Sequence, residues 1–293
     1  MKFKSGNSFS NSRFKLINIE RTIYLRKFLR SSSNRNIQSI IKQNNFKDHK
    51  IASFHVTSAK VRTTYPVIKS KKYYDMLFYD GKSGDQILQR ANIKEIKILK
   101  HWIKKNFFDK KIETFCKLDV NIYLNKLNDI LKKIKKKRFL NIFTKKYIPD
   151  FKNLLNSKNI YYPKAQQCHG DLTLANIIIN YPKKKLILFD FLKTHNDNII
   201  QDYAKLYQEF KLGWSGRYFD PIQNTRSLIV YQNIISDIQW RSLDINLKKA
   251  IIIETYMTLF RILPYINLKD KLTFNWVLQS LTKLKKVHKT NNL

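Results

Sequence analysis

Three oxygen-bearing side chains, Asp171, Asn176 and Asp190, stand within the single stretch Cys168 to Leu192. Their types and order suit phosphoryl transfer. That chemistry needs a carboxylate to orient an attacking hydroxyl and accept its proton, and hard oxygen ligands for Mg²⁺ to offset charge on nucleotide phosphates. Read this way, Asp171 is the base and Asn176 and Asp190 are the metal ligands.

The elements that must position these groups are local. Asn176 follows Asp171 on a short loop. The apolar run Ile177–Ile179, a turn over Asn180–Lys185 and a second run Leu186–Phe189 predict a hairpin, with Asp190 just past its second strand. Tyr181-Pro182 supplies turn chemistry, and Pro182 lies outside both runs, where a missing N–H costs nothing.

The order H-G-D-L-x-x-x-N followed by an apolar hairpin and Asp-Phe resembles the catalytic segment of the aminoglycoside phosphotransferase and choline kinase family. Protein kinases carry the similar H-R-D and D-F-G, but here Gly170 replaces the Arg, Leu192 replaces the Gly, and no A-P-E follows. The resemblance implies an α+β, bilobal protein-kinase-like fold, with a small β-rich N-lobe over 1–82 and a larger, mainly helical C-lobe over 83–293. It implies ATP (or GTP) and Mg²⁺ as cofactors and an alcohol hydroxyl as acceptor. It makes His169 a buried brace of the loop. It makes Asp202 a residue that opens a helix behind the loop and accepts hydrogen bonds from it, and it puts Trp214, Arg217 and Tyr218 where acceptor pockets are built.

Within 1–82, Gly6–Ser12 resembles the nucleotide-covering turn of a kinase small lobe, and Arg13–Ile19 and Thr22–Phe28 read as strands. The second strand ends in cations. Lys27 is the expected phosphate ligand and Arg26 the alternative, and alternation points the two in opposite directions. A helix is predicted over 35–46, behind the capping cluster Ser31–Asn34. Kinases usually have a Glu there that pairs with the strand Lys. This helix has no Glu or Asp, and Gln38, Ser39 or Gln43 is the expected neutral substitute. Tyr73 to Ser83 resembles the family's hinge. Backbone groups around Leu77, Phe78 and Tyr79 would pair with adenine, and Met76 would lie behind it.

Beyond Gly84 the pattern is helical. Ile96, Leu99, Trp102 and Ile103 form one apolar face, and Leu124, Leu127, Leu131 and Ile134 another. Lys132–Arg138 is a cationic run followed by Phe139, Leu140, Ile142 and Phe143, a pattern that also fits an amphipathic patch on an anionic membrane surface.

Composition bounds the rest. With 43% hydrophobic residues the chain is not a disordered one. Two cysteines make no disulfide framework, and no apolar run follows the basic start, so a cytoplasmic protein is expected, peripheral at the inner membrane face if the patch is used. The net charge of +36 attracts polyanions, but no nucleic-acid-binding motif accompanies it, and specific nucleic-acid binding is not expected. The charge favours a neutral or anionic small-molecule acceptor such as a sugar, a glycan precursor of envelope biosynthesis, or an alcohol. The alternatives are a choline- or ethanolamine-type kinase, with Trp214 and Tyr218 as a cation–π wall, and a non-catalytic kinase-like nucleotide-binding protein.

Overall fold

The structure, a computed structural model, describes residues 13–29, 33–109, 112, 114–156, 160–164, 167–235, 240 and 243–290. The Gly6–Ser12 turn lies outside them. The elements run β1 (Arg13–Ile19), β2 (Thr22–Phe28), α1 (Asn34–Asn44), β3 (His49–Ile51), β4 (Phe54–Ser58), α2 (Tyr65–Lys71), β5 (Tyr73–Leu77), β6 (Lys82–Ser83), α3 (Asp85–Arg90) and α4 (Ile93–Ile103). Then come β7 (Phe115–Lys117), α5 (Val120–Ile134), α6 (Asn141–Lys146), α7 (Ile148–Leu155) and β8 (Tyr161–Pro163). The chain ends with β9 (Ile177–Asn180), β10 (Lys185–Leu188), α8 (Ile200–Phe210), α9 (Pro221–Ile235), α10 (Ile245–Phe260) and α11 (Lys271–Thr290). This is a mixed α+β chain, strand-rich at its N-terminal end and mostly helical beyond.

By packing, the chain forms two compact units. One compact unit is Met1–Trp102 with His169–Lys193, and the other is Ile103–Cys168 with Thr194–Leu293. The physical reason is sheet pairing. In the first unit a five-stranded sheet has the order β3-β4-β10-β9-β6, with β10 parallel to β4 and β9 antiparallel to both β10 and β6. The predicted hairpin is therefore the middle of the N-terminal unit's sheet. Ile177, Ile179, Leu186, Ile187 and Leu188 are buried, as an apolar run in a central strand must be. Each such side chain contributes about 1.5–3 kcal/mol by leaving water. Gly81 makes the close approach of β6 to β9 possible. Its φ is 140°, and a Cβ there would meet the Ile179 carbonyl oxygen at 2.6 Å.

A second sheet in the same unit runs β1-β2-β5. Strands β1 and β2 match the sequence reading, and Glu20 and Arg21, both at positive φ, form the two-residue hairpin turn between them. Helix α1 begins at the Ser33 cap, whose hydroxyl accepts from the Asn36 amide. It buries Ile37 and Ile40 against Tyr74, Met76 and Ile187.

The second unit is helical around α8 and α10. Both are buried almost all round, which fits central helices. Ile96, Leu99 and Trp102 of the first unit and Ile103 of the second are buried as expected, but α5 is rotated from its expected face. It buries Tyr123, Leu127, Ile130 and Ile134, while Leu124 and Leu131 are half-buried, because Tyr123 is drawn in by a polar partner. Of the apolar residues after the cationic run, Leu140 and Phe143 are in the core, Phe139 is half-buried and Ile142 is exposed. Among the described residues no helix is long and apolar enough to cross a membrane.

Tyr123's partner is Glu254 of α10, fully buried, to which its hydroxyl donates at 2.6 Å. His195 Nε2 lies 3.7 Å from the other carboxyl oxygen. Burial pushes the Glu254 carboxyl up to about 7, against the pull of the Tyr123 hydrogen bond. A carboxyl with a raised folded-state pKa contributes stability that is present below about pH 4.5 and lost as pH rises through 7. Glu254→Gln is therefore expected to gain on the wild type by on the order of 3 kcal/mol between pH 5 and pH 8. Urea unfolding at both pH values measures it. The same stability difference at both would show that Glu254 is not buried as a neutral acid.

Candidate active site

The first unit brings Asp171, Asn176, Asp190 and Lys27 together. Asp171 follows Gly170, which at φ 85° makes the turn that a side chain would strain. His169 is buried beneath this turn. Its Nε2 lies 2.9 Å from the Phe189 carbonyl, and its Nδ1 accepts from the Asp171 amide at 3.2 Å. Those two bonds require a neutral ring with its proton on Nε2. Burial lowers the His169 pKa to about 4, so the ring stays neutral at ordinary pH. The Phe191 ring, 4.2 Å away between centroids, and the Leu192 amide donating to the His169 carbonyl at 2.9 Å complete the brace. His169 ties the residues before Asp171 to those on both sides of Asp190.

The short helical turn Leu174–Asn176 carries Asn176 back under Asp171. Its Nδ2 donates to the Asp171 carbonyl at 2.7 Å and to Asp171 Oδ2 at 3.1 Å. With the amide nitrogen so engaged, the Asn176 Oδ1 is the face left for a ligand. Asp190 lies two residues beyond the end of β10 and holds φ 61°, a left-handed backbone that Asp tolerates better than most residues. Its carboxylate accepts from the Lys27 ammonium through Oδ1. An amide oxygen and a carboxylate are the hard donors Mg²⁺ takes, so these residues fit the metal that the sequence reading assigned to them.

The structure decides between the two strand cations. Strand β5 pairs antiparallel with β2, setting Asp75 opposite Arg26 and Tyr74 opposite Lys27. Arg26 makes a bidentate pair with Asp75 at 2.7 and 2.9 Å and stacks on the Tyr73 ring, which removes it from the site. Lys27 turns inward and is 7% exposed. Burial by itself would lower the Lys27 pKa. The Asp190 carboxylate outweighs it and holds the ammonium above the ordinary lysine value.

Helix α1 does not supply the expected neutral partner for Lys27. Gln43 donates to the Ala59 carbonyl and accepts from the Phe191 amide at 3.3 Å. Ser39 accepts from the Lys193 amide at 2.8 Å. Arg35 and Lys42 donate to the carbonyls of Lys193 and Leu192 at 2.7 and 3.1 Å. The polar face of α1 therefore grips the chain just after Asp190. Nothing in a single sequence pairs a helix with a segment so far along the chain, and this role was not legible there.

In the hinge, Met76 is buried in the core. The Leu77 amide donates to the Lys60 carbonyl at 3.0 Å and the Phe78 amide to the Ile23 carbonyl at 3.1 Å. Two of the backbone groups in the stretch Leu77–Tyr79 are thus used within the protein.

Asp202, Trp214, Arg217 and Tyr218 belong to the second unit. Asp202 is buried in the first turn of α8, whose cap is Ile199. Arg217 lies over both the Trp214 ring, at 3.5 Å, and the Tyr218 ring, at 4.2 Å. It also donates to the Trp214 carbonyl at 2.7 Å. The chain's own guanidinium thus takes one cation–π position on each of these rings.

No family model and no curated protein matches the chain. Among solved structures it is similar to an ethanolamine kinase of Plasmodium vivax, at 15% identity and a TM-score of 0.48 over 95% of this chain and 83% of that one. It is similar to the AMP-bound complex of a spectinomycin phosphotransferase, at 11% identity and a TM-score of 0.48 over 93% and 92% of the two chains. A type I macrolide 2'-phosphotransferase is matched at 8% identity and a TM-score of 0.45 over 93% and 88%.

Proposed function

We propose that the protein is a nucleotide-dependent small-molecule kinase that moves the γ-phosphoryl group of ATP or GTP to a hydroxyl of a neutral or anionic acceptor. The observation that carries this reading is the buried Lys27 ion-paired with Asp190 beside an Asp171 held by Asn176. Phosphoryl transfer asks for those four groups and little else. Asp171 accepts the proton of the acceptor hydroxyl as its oxygen bonds to the γ-phosphorus and the bond to the β,γ-bridging oxygen breaks, leaving the nucleoside diphosphate. Lys27 holds positive charge against the phosphates. Asn176 and Asp190 would hold Mg²⁺, which when bound neutralises charge on the phosphate oxygens.

The +36 charge supports the acceptor class, because it repels polycations and draws anions within a Debye length of about 8 Å. Arg217 seated over Trp214 and Tyr218 weighs further against a choline- or ethanolamine-type acceptor at that place. The candidates are sugars, glycan precursors and phosphorylated or lipid-linked alcohols of envelope biosynthesis. Turnover against a panel of such alcohols, with choline, ethanolamine and aminoglycosides included, tests the reading. The kcat/KM for an anionic acceptor is expected to fall as ionic strength rises. A preferred polycationic acceptor would refute the acceptor class, and no turnover with any alcohol would favour a non-catalytic nucleotide-binding protein.

A further inference from the structure

Helix α1 contains no Asp or Glu, so no carboxylate of that helix holds Lys27, yet the side chain is buried and ion-paired. Its Asp190 partner is not a lasting anchor, because on the reading above that carboxylate is also a metal ligand. A second group faces the ammonium. Tyr74 is the direct cross-strand neighbour of Lys27 in the β2–β5 register, so both side chains leave the sheet on the same face. Both residues are buried, Tyr74 at 4% exposure, so the phenol and the ammonium are enclosed together on that face, where the phenol helps to hold the lysine charged. Phe14 closes the pocket, its ring centroid 5.7 Å from Nζ. The polar residues of α1 that could have competed are committed to the backbone of residues 191–193 and to Ala59.

We propose that Tyr74 is the positioning residue for Lys27, taking from β5 the part that a helix carboxylate takes elsewhere. The inference rests on the kinase reading of the site. A phenol anchor differs from a carboxylate in one consequence. It orients the ammonium without neutralising it, so the whole positive charge remains for phosphate when Asp190 turns to the metal. Being on a rigid strand, it also fixes Lys27 without any movement of α1.

The test is a double-mutant cycle on nucleotide affinity, using Tyr74→Phe, Lys27→Met and both together, each checked for an unchanged fold by circular dichroism. The probe is a fluorescent ATP analogue titrated with Mg²⁺ present. Tyr74→Phe keeps the ring in the core and removes only the hydroxyl. It is expected to weaken nucleotide binding about tenfold or more, the scale of a hydrogen bond to a charged group, with kcat at saturating nucleotide changed far less. In the Lys27→Met background the same substitution is expected to have no further effect. Equal affinity of Tyr74→Phe and wild type would overturn the positioning role alone, as would an equal loss in both backgrounds. A wild-type protein that binds no nucleotide would overturn the kinase reading together with the inference drawn from it.

Discussion

Asp171→Asn is expected to bind nucleotide as the wild type does and to turn over about 10²–10⁴ times more slowly, the range for losing a general base. The substitution is close to isosteric. The amide oxygen of Asn can still accept from Asn176 Nδ2, now 3.1 Å from Asp171 Oδ2, and the backbone amide of residue 171 can still donate to His169. The loop is therefore expected to keep its shape, and what disappears is a carboxylate able to take a proton. Steady-state kinetics beside a nucleotide-binding titration separate the two effects. Unchanged kcat in the folded variant would remove Asp171 from the reaction.

Asp190→Ala is expected to act twice. It removes the strand-end carboxylate, so Mg²⁺ should no longer raise the melting temperature of the nucleotide-bound protein. It also leaves Lys27, whose side chain is 9% exposed, without its anion. Breaking a buried pair from one side costs about 3–5 kcal/mol. Lys27→Met is expected to cost less, since the Asp190 side chain is 34% exposed and can turn to water. Asn176→Ala should weaken the Mg²⁺ response without abolishing it. Melting curves across a Mg²⁺ titration decide the matter. The same response in wild type and Asp190→Ala would show that Asp190 is no metal ligand, and unchanged stability without nucleotide would show that Lys27 does not depend on it.

The sequence by itself determined what local geometry can fix. Asp171 and Asn176 are close enough along the chain for one turn to bring them together, and His169 reaches the Asp171 amide across two residues. The hairpin was legible because its two apolar runs and its turn residues lie side by side in the chain. The strands β1 and β2 and the Ser33-capped helix were legible for the same reason: period, cap and turn residue act over a few positions. Tertiary structure decided everything that depends on register between distant segments. Alternation showed that Arg26 and Lys27 diverge, but only the pairing of β2 with β5 sets Asp75 against one and Tyr74 against the other. Only the parallel pairing of β10 with β4 places the β9–β10 hairpin in the N-terminal unit rather than among the helices that flank it in sequence. The fate of Trp214 and Tyr218 turned on where one long side chain comes to rest, and Arg217 lies over both rings. Residue type says that such contacts are favourable, but a pair of groups meets only where the whole chain has packed.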